Sequence, residues 1–231
     1  VLVKTTMENN FCLTAEQLEE AITPNTKLLM LCTPNNPTGS VYTYENLKAI
    51  VEVLKKHPQI IVLADEIYQH ILYTGKHETL AQFPELEDRL IIINGVSKAY
   101  AMTGYRIGWL ACHDKDFITA VKRLQGQTIS CATTIAQKAA EAAYAGPQDC
   151  VEDMRQAFER RRNLIVGLAK EIPGMKVLEP QGAFYLFPDV SAFFGKQYNG
   201  QTIHNADEVV TYLLQEAHVA CVSGSAFGED N

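Results

Sequence analysis

The chain has 231 residues, 47% of them hydrophobic and 20% charged, which is enough apolar material for a packed core and excludes a disordered segment, a collagen or a coiled coil. Twenty Lys and Arg against 27 Asp and Glu leave a net charge of −7 with no basic run, so there is no electrostatic footprint for nucleic acid or an anionic membrane surface. The longest apolar stretches, such as Leu28–Cys32 and Ile60–Ala64, fall far short of the ~20 residues that a membrane span requires.

Val1 opens a mixed polar segment with no signal sequence, so the chain is expected to start inside a longer protein. Leu28 to Cys32 then reads as a buried strand. Thr43 to His57 reads as a helix, with Leu47, Ile50, Val51 and Leu54 at helical spacing and Pro58 ending it. Ile60 to Ala64, Leu90 to Asn94 and Arg106 to Cys112 are three further apolar runs. Short β-branched runs separated by helix-length segments are the pattern of strands buried on both faces, so the expected class is α/β with a mostly parallel sheet and flanking helices.

From Asp114 onward helices are predicted over Asp114 to Leu124, Thr133 to Tyr144 and Gln148 to Glu171, the last lying between Gly146-Pro147 and Pro173-Gly174. Short strands at Met175 to Leu178, Ala183 to Phe187 and Val219 to Ser223 around a helix at Asp207 to Ala217 predict a smaller α+β C-terminal domain. The boundary is placed inside the long helix, giving domains 1–160 and 161–231. Six cysteines without a CxxC pair or Cys/His spacing read as reduced structural thiols of a cytoplasmic protein, with no metal site expected.

Ligands of an open α/β sheet bind beyond the carboxyl ends of its strands, so the residues following each strand carry the chemistry. The first strand runs into Thr33-Pro-Asn-Asn-Pro-Thr-Gly39, a turn stiffened by two prolines that presents the amides of Asn35 and Asn36. The second ends in Asp65, with Tyr68 one turn later. A carboxylate at the rim of a buried sheet seeks a cationic partner, which a protonated ring nitrogen would supply. The third runs into Ser97-Lys98, followed by Arg106. Together these residues offer an amine for an aldehyde, a carboxylate for a pyridinium, phenol and amide for a phenolate oxygen, and serine plus arginine for a phosphate. Those are the groups pyridoxal 5'-phosphate requires.

Three segments carry a resemblance: Asn35-Asn36-Pro37-Thr38-Gly39, Asp65-Glu66-Ile67-Tyr68, and Ser97-Lys98-Ala99-Tyr100-Ala101-Met102-Thr103-Gly104-Tyr105-Arg106-Ile107-Gly108. In that order, each after its own strand, they resemble the class I aminotransferases of fold type I. Gly182-Ala183-Phe184-Tyr185 is similar to a segment of that family's small domain, and the resemblance extends over essentially the whole chain. It implies that Lys98 forms an internal aldimine with pyridoxal phosphate, that Asp65 bonds the pyridine nitrogen, that Tyr68 and Asn36 bond the ring oxygen, and that Ser97 and Arg106 hold the phosphate. Lys98, Asp65 and Tyr68 are thereby the implied catalytic residues, and Asn36 also borders the substrate. The implied reaction is a ping-pong exchange between amino acids and 2-oxoacids in a homodimer.

Two features of the family fall outside the sequence. A glycine-containing phosphate turn with a ring-stacking aromatic is expected ahead of Val1. An arginine for the substrate α-carboxylate is expected beyond Ser223-Gly-Ser-Ala-Phe-Gly-Glu-Asp-Asn231. The chain is then a piece covering the later part of the large cofactor domain and most of the small one.

Within the family, Arg123–Lys138 and Ser97–Gly104 are most similar to the bacterial aspartate aminotransferases, some of which also accept prephenate. That implies aspartate and 2-oxoglutarate as substrates. Another amino-acid specificity, prephenate included, or a carbon–sulfur β-lyase of the same fold, and a cofactor-binding sensor domain of a transcription regulator, are the alternatives. Taken singly, Asp65 also reads as a helix N-cap and Asn36 as a plain turn residue. Glu45 with Lys48, Glu152-Asp153 and Arg160-Arg-Arg162 read as solvated helix faces, and His70, His77, His113 and His204 have no ligand spacing.

Overall fold

The apolar runs of the first half pair side by side. In the computed structural model, which describes residues 1–228, one sheet has the order β1 (Leu28–Cys32), β2 (Ile61–Asp65), β3 (Leu90–Gly95) and β4 (Gly108–Ala111). The first three strands are parallel, with Leu31 opposite Ala64, Cys32 opposite Asp65, and Asp65 opposite Ile93. β4 runs antiparallel to β3, pairing Asn94 with Trp109. The sheet is therefore mixed but mostly parallel, as expected, and the direction of its last strand is the refinement.

Side-chain alternation divides the sheet into two unlike faces. Leu31, Val62 and Ala64 are buried against the helices α1 (Ala15–Ala21) and α2 (Tyr44–Lys55), in a core with Leu18, Leu47, Ile50, Val51 and Leu54. On the opposite face Leu28, Met30 and Ile61 are exposed.

Helix α2 begins where Thr43 and Asn46 cap one another. Thr43 Oγ1 accepts from the Asn46 N–H at 3.2 Å, and Asn46 Oδ1 accepts from the Thr43 N–H at 3.1 Å. At its other end the Arg89 guanidinium donates to the carbonyls of Leu54 and His57, both at 2.8 Å, and of Ile60 at 3.0 Å. This satisfies acceptors that the helix terminus leaves open.

α3 (Lys115–Thr128), α4 (Thr134–Ala145) and α5 (Asp149–Lys170) follow close to their expected positions. Helix α5 runs unbroken through residue 160. Next come a two-residue hairpin, β5 (Gln197–Tyr198) and β6 (Gln201–Thr202), and α6 (Ala206–Glu216).

The three short strands expected in this region are a correction. None of Met175–Leu178, Ala183–Phe187 and Val219–Ser223 forms a strand. A strand needs a continuous neighbour for its backbone groups, and here there are only single bridges, Lys176 to Asp189 and Leu72 to Gly182. Ala183 also has φ +56°, which breaks extended geometry in the middle of its segment. Helix α1 and the β5–β6 hairpin are additions to the expected elements. Glu229-Asp-Asn231, where the sequence approaches the expected carboxylate-gripping arginine, lie outside the described residues.

Candidate active site

The turn after β1 is held by its own side chains. Asn35 Oδ1 accepts from the Thr38 N–H at 3.2 Å and from the Thr38 hydroxyl at 2.9 Å, and Gly39 N–H donates to Asn35 O at 2.9 Å. Gly39 sits at φ +69°, and a Cβ there would lie 2.5 Å from Pro180 Cβ. The absence of a side chain lets Gly39 O accept from the N–H groups of both Gln181 and Gly182 at 2.9 Å. The turn thus docks the distant Pro180–Tyr185 segment onto the carboxyl end of the sheet. Asn36 is exposed on the rim, with no hydrogen bond from its side chain among the described residues.

At the tip of β2, Asp65 Oδ1 accepts from the Ile67 N–H at 3.1 Å, so the carboxylate caps a turn rather than a helix. The neighbouring side chain points to the other face. Glu66 is buried, with Oε1 accepting from the Thr79 hydroxyl at 2.6 Å and Oε2 lying 3.2 Å from His77 Nε2. The strand end that carries Asp65 is therefore anchored from behind by the Thr79 hydroxyl, with His77, for which the sequence indicated no role, lying beside the same carboxylate. Cys32, paired with Asp65 across the sheet, has its thiol pushed up to about 11, chiefly by burial and further by the carboxylate.

Tyr68 follows one turn later and is 3% exposed. Its hydroxyl lies 2.5 Å from that of Tyr185, and its ring meets those of Phe184 and Tyr185 edge-on at 5.5 and 5.7 Å. Burial, then the Tyr185 hydrogen bond, raises its pKa above the ordinary phenol value.

Lys98, in the loop after β3, is half-buried, with Nζ 5.7 Å from the ring centres of both Tyr68 and Phe184. Such contacts hold a cation by the electron-rich ring faces. The loop is tied to the helices where the Tyr100 hydroxyl donates to Gln148 Oε1 at 2.8 Å. Ser97 is half-buried beside it. Arg106 is exposed, at φ +52°, and its guanidinium donates to Thr103 O at 3.0 Å, on its own turn and not to Ser97.

Of the six expected site residues, Asp65, Tyr68 and Lys98 thus gather at adjacent strand ends, with Ser97 next to Lys98 in the chain. Asn36 and Arg106 stand further out on the rim. Among the described residues no group of His, Cys, Asp and Glu is arranged to hold a metal ion, and no helix is long and apolar enough to cross a membrane.

Two participants were not singled out from the sequence. Tyr185 was visible only as part of Gly182-Ala-Phe-Tyr, and its partner Tyr68 is 117 positions away. Arg162 is a correction, because its side chain is 9% exposed rather than solvated. Its Nη1 donates to Glu179 Oε1 at 2.7 Å and to Pro180 O at 2.9 Å, and its guanidinium stacks 4.8 Å from the Tyr73 ring centre. An apolar stripe does not reveal an arginine that packs through its flat guanidinium face.

Comparison with known proteins gives one answer. The family model for aminotransferase class I and II matches residues 1–231. The chain is 48% identical to an aspartate aminotransferase of Geobacillus stearothermophilus, over 99% of its own length and 57% of the relative's. It is 44% identical to a bifunctional aspartate aminotransferase and glutamate/aspartate-prephenate aminotransferase of Petunia hybrida, over 100% of its length and 49% of that protein's. The crystal structure of an aspartate aminotransferase from Rhizobium meliloti superposes with a TM-score of 0.95 at 42% identity, covering all of this chain and 58% of that one. The chain spans about half the length of the curated relatives it matches.

Proposed function

The chain belongs to the class I and II aminotransferase family, and from that premise we propose that it is part of a pyridoxal-phosphate-dependent transaminase acting on aspartate and 2-oxoglutarate. The observation that carries this reading is the meeting of Lys98 Nζ with the buried Tyr68 ring, 5.7 Å away, at the sheet end that also bears Asp65. The names of the relatives support aspartate as the amino donor, and the petunia relative's name supports prephenate as an amino acceptor.

The donor set fits the cofactor. Asp65 would pair with a protonated ring nitrogen, Tyr68 and Asn36 with the ring oxygen, Ser97 and Arg106 with the phosphate, and Lys98 with the aldehyde. Arg106 would have to leave Thr103 O to do so. Bound there, pyridoxal phosphate supplies an aldehyde that exchanges amines and a ring that accepts electrons. The protein's part is acid–base and electrostatic. Lys98 Nζ would take the proton from the substrate Cα as a general base and, as a general acid, deliver it to the former aldehyde carbon of the cofactor. Asp65 keeps the ring nitrogen protonated, and Tyr68 donates to the oxygen where charge accumulates.

By the same reading, residues 1–160 are the later part of the large cofactor domain and residues 161–231 belong to the small domain. The full-length protein is a cytoplasmic homodimer, by analogy with the family. An absorption spectrum of the full-length protein tests the function. With pyridoxal phosphate a visible band is expected, lost on adding aspartate and restored by 2-oxoglutarate. A band that no amino acid converts would refute transamination and favour a sensor.

A further inference from the structure

We propose that Tyr185 is a positioning residue for Tyr68, its hydroxyl donating to the Tyr68 oxygen so that the Tyr68 O–H is left to point at a bound ligand. The inference rests on the reading of Tyr68 as a cofactor contact and adds a residue to it.

Two phenols 2.5 Å apart share one hydrogen bond, and either can be its donor. The choice has a chemical consequence. If Tyr68 donates to Tyr185, its only proton is used and it can offer a ligand nothing but lone pairs. If Tyr185 donates, the Tyr68 rotor is fixed with its own proton free, and the bond received polarises that O–H into a stronger donor. An oxygen carrying negative charge selects the second arrangement. Tyr68 is 3% exposed, so its ring is held in place by the residues packed around it.

Tyr185 is itself held from several sides. Gly39 O accepts from the N–H groups of Gln181 and Gly182, Ala183 N–H donates to Ile71 O at 2.8 Å, and the Tyr73 hydroxyl donates to Ala183 O. Arg162 closes the arrangement by stacking on Tyr73 while donating to Pro180 O. The segment's backbone is fixed to the strand ends and to helix α5, and the Tyr185 hydroxyl is the one polar group it delivers to Tyr68. A phenylalanine there would keep the edge-on ring contact and lose only the donor.

The test is a double-variant cycle in the full-length protein, using Tyr185→Phe, Tyr68→Phe and the pair. Two properties are read, namely the dissociation constant for pyridoxal phosphate and the pH at which the visible band of the bound cofactor titrates. Tyr185→Phe is expected to weaken cofactor binding about five-fold, what one hydrogen bond is worth, and to move the band's titration upward in pH. In the Tyr68→Phe background Tyr185→Phe should add neither change. Equal effects of Tyr185→Phe in both backgrounds, or none in either while Tyr68→Phe alone weakens binding, would overturn the role of Tyr185 and leave that of Tyr68 standing. No effect of Tyr68→Phe on either property would overturn the reading of Tyr68 and the present inference with it.

Discussion

Lys98 and Asp65 make opposite demands on a binding experiment. Lys98→Ala removes the amine, so the visible band and transamination are expected to vanish while circular dichroism is unchanged, since the half-buried lysine has no part in the core cluster. Retained turnover would remove Lys98 from the mechanism. On the proposed reading Asp65→Ala should still bind cofactor yet lose at least about 10²-fold in kcat, because the charge that would keep the ring nitrogen protonated is gone. Near-normal kcat would show that another group does that work. The thiol of Cys12 supplies a prediction independent of function. Burial pushes it up to about 11 from 9.0, so between those values the unfolded chain has lost a proton that the native chain keeps. The unfolded state then binds fewer protons, and stability present below pH 9 is lost as pH rises toward 11, on the order of 2 kcal/mol for this thiol. Urea unfolding under reducing conditions at pH 8 and pH 10.5 should show wild type losing more than Cys12→Ala, whereas parallel losses would contradict the linkage. The placement of Asp65, Tyr68 and Lys98 was legible because each lies at or just beyond the end of an apolar run that forms a strand. Tyr185 and Arg162 were not, since their roles come from partners brought near only by folding.

At the scale of elements, the turn after β1 separates two costs that glycine avoids. Gly75 and Gly39 share φ +69°, but a Cβ on Gly75 meets nothing within 4 Å, while one on Gly39 would lie 2.5 Å from Pro180 Cβ and 2.9 Å from Gly182 O. Gly75→Ala should therefore cost about 1 kcal/mol, the left-handed backbone alone. Gly39→Ala should cost roughly 3 kcal/mol, because the docked segment must move as well. Equal shifts in urea midpoint would mean that the Pro180 segment yields freely. The same turn shows where sequence reading ends. Strands β1 to β3 were legible because each is an unbroken apolar run, and α2 because its buried positions repeat at helical spacing. The antiparallel course of β4 was not, since an apolar run carries no direction. Ala183–Phe187 misled because β-forming residues make a strand only beside a partner, and this segment instead bends at Ala183 to place Phe184 and Tyr185 on Tyr68.

Across the whole molecule, burial is uneven, and stability should be too. Helix α2 places five residues in the core, among them Leu47, Ile50 and Leu54 at 0% exposure, and it lies against the sheet face built from Leu31, Val62 and Ala64. Helix α3 has no buried residue, and Leu124, Ile129 and Ile135 in and after it are 66%, 68% and 79% exposed. A helix with little packing has only its own hydrogen bonds to resist opening, and short isolated helices are marginal in water. Amide hydrogen exchange in the 231-residue chain should therefore divide by element. Amides of α2, β2 and β3 should exchange only when the whole chain unfolds, their rates following denaturant with the global slope. Those in the middle of α3 should exchange through local opening, at rates nearly independent of low denaturant. The capped first turn of α3, where Asp114 Oδ1 accepts from the N–H groups of Asp116 and Phe117 at 2.9 Å, does not change this, since a cap stabilises by about 1 kcal/mol and a core face by several. Protection in α3 equal to that in α2 would mean that the helix gains cover from association of the chain with itself, which repeating the exchange at tenfold lower concentration would reveal as a fall in α3 protection alone.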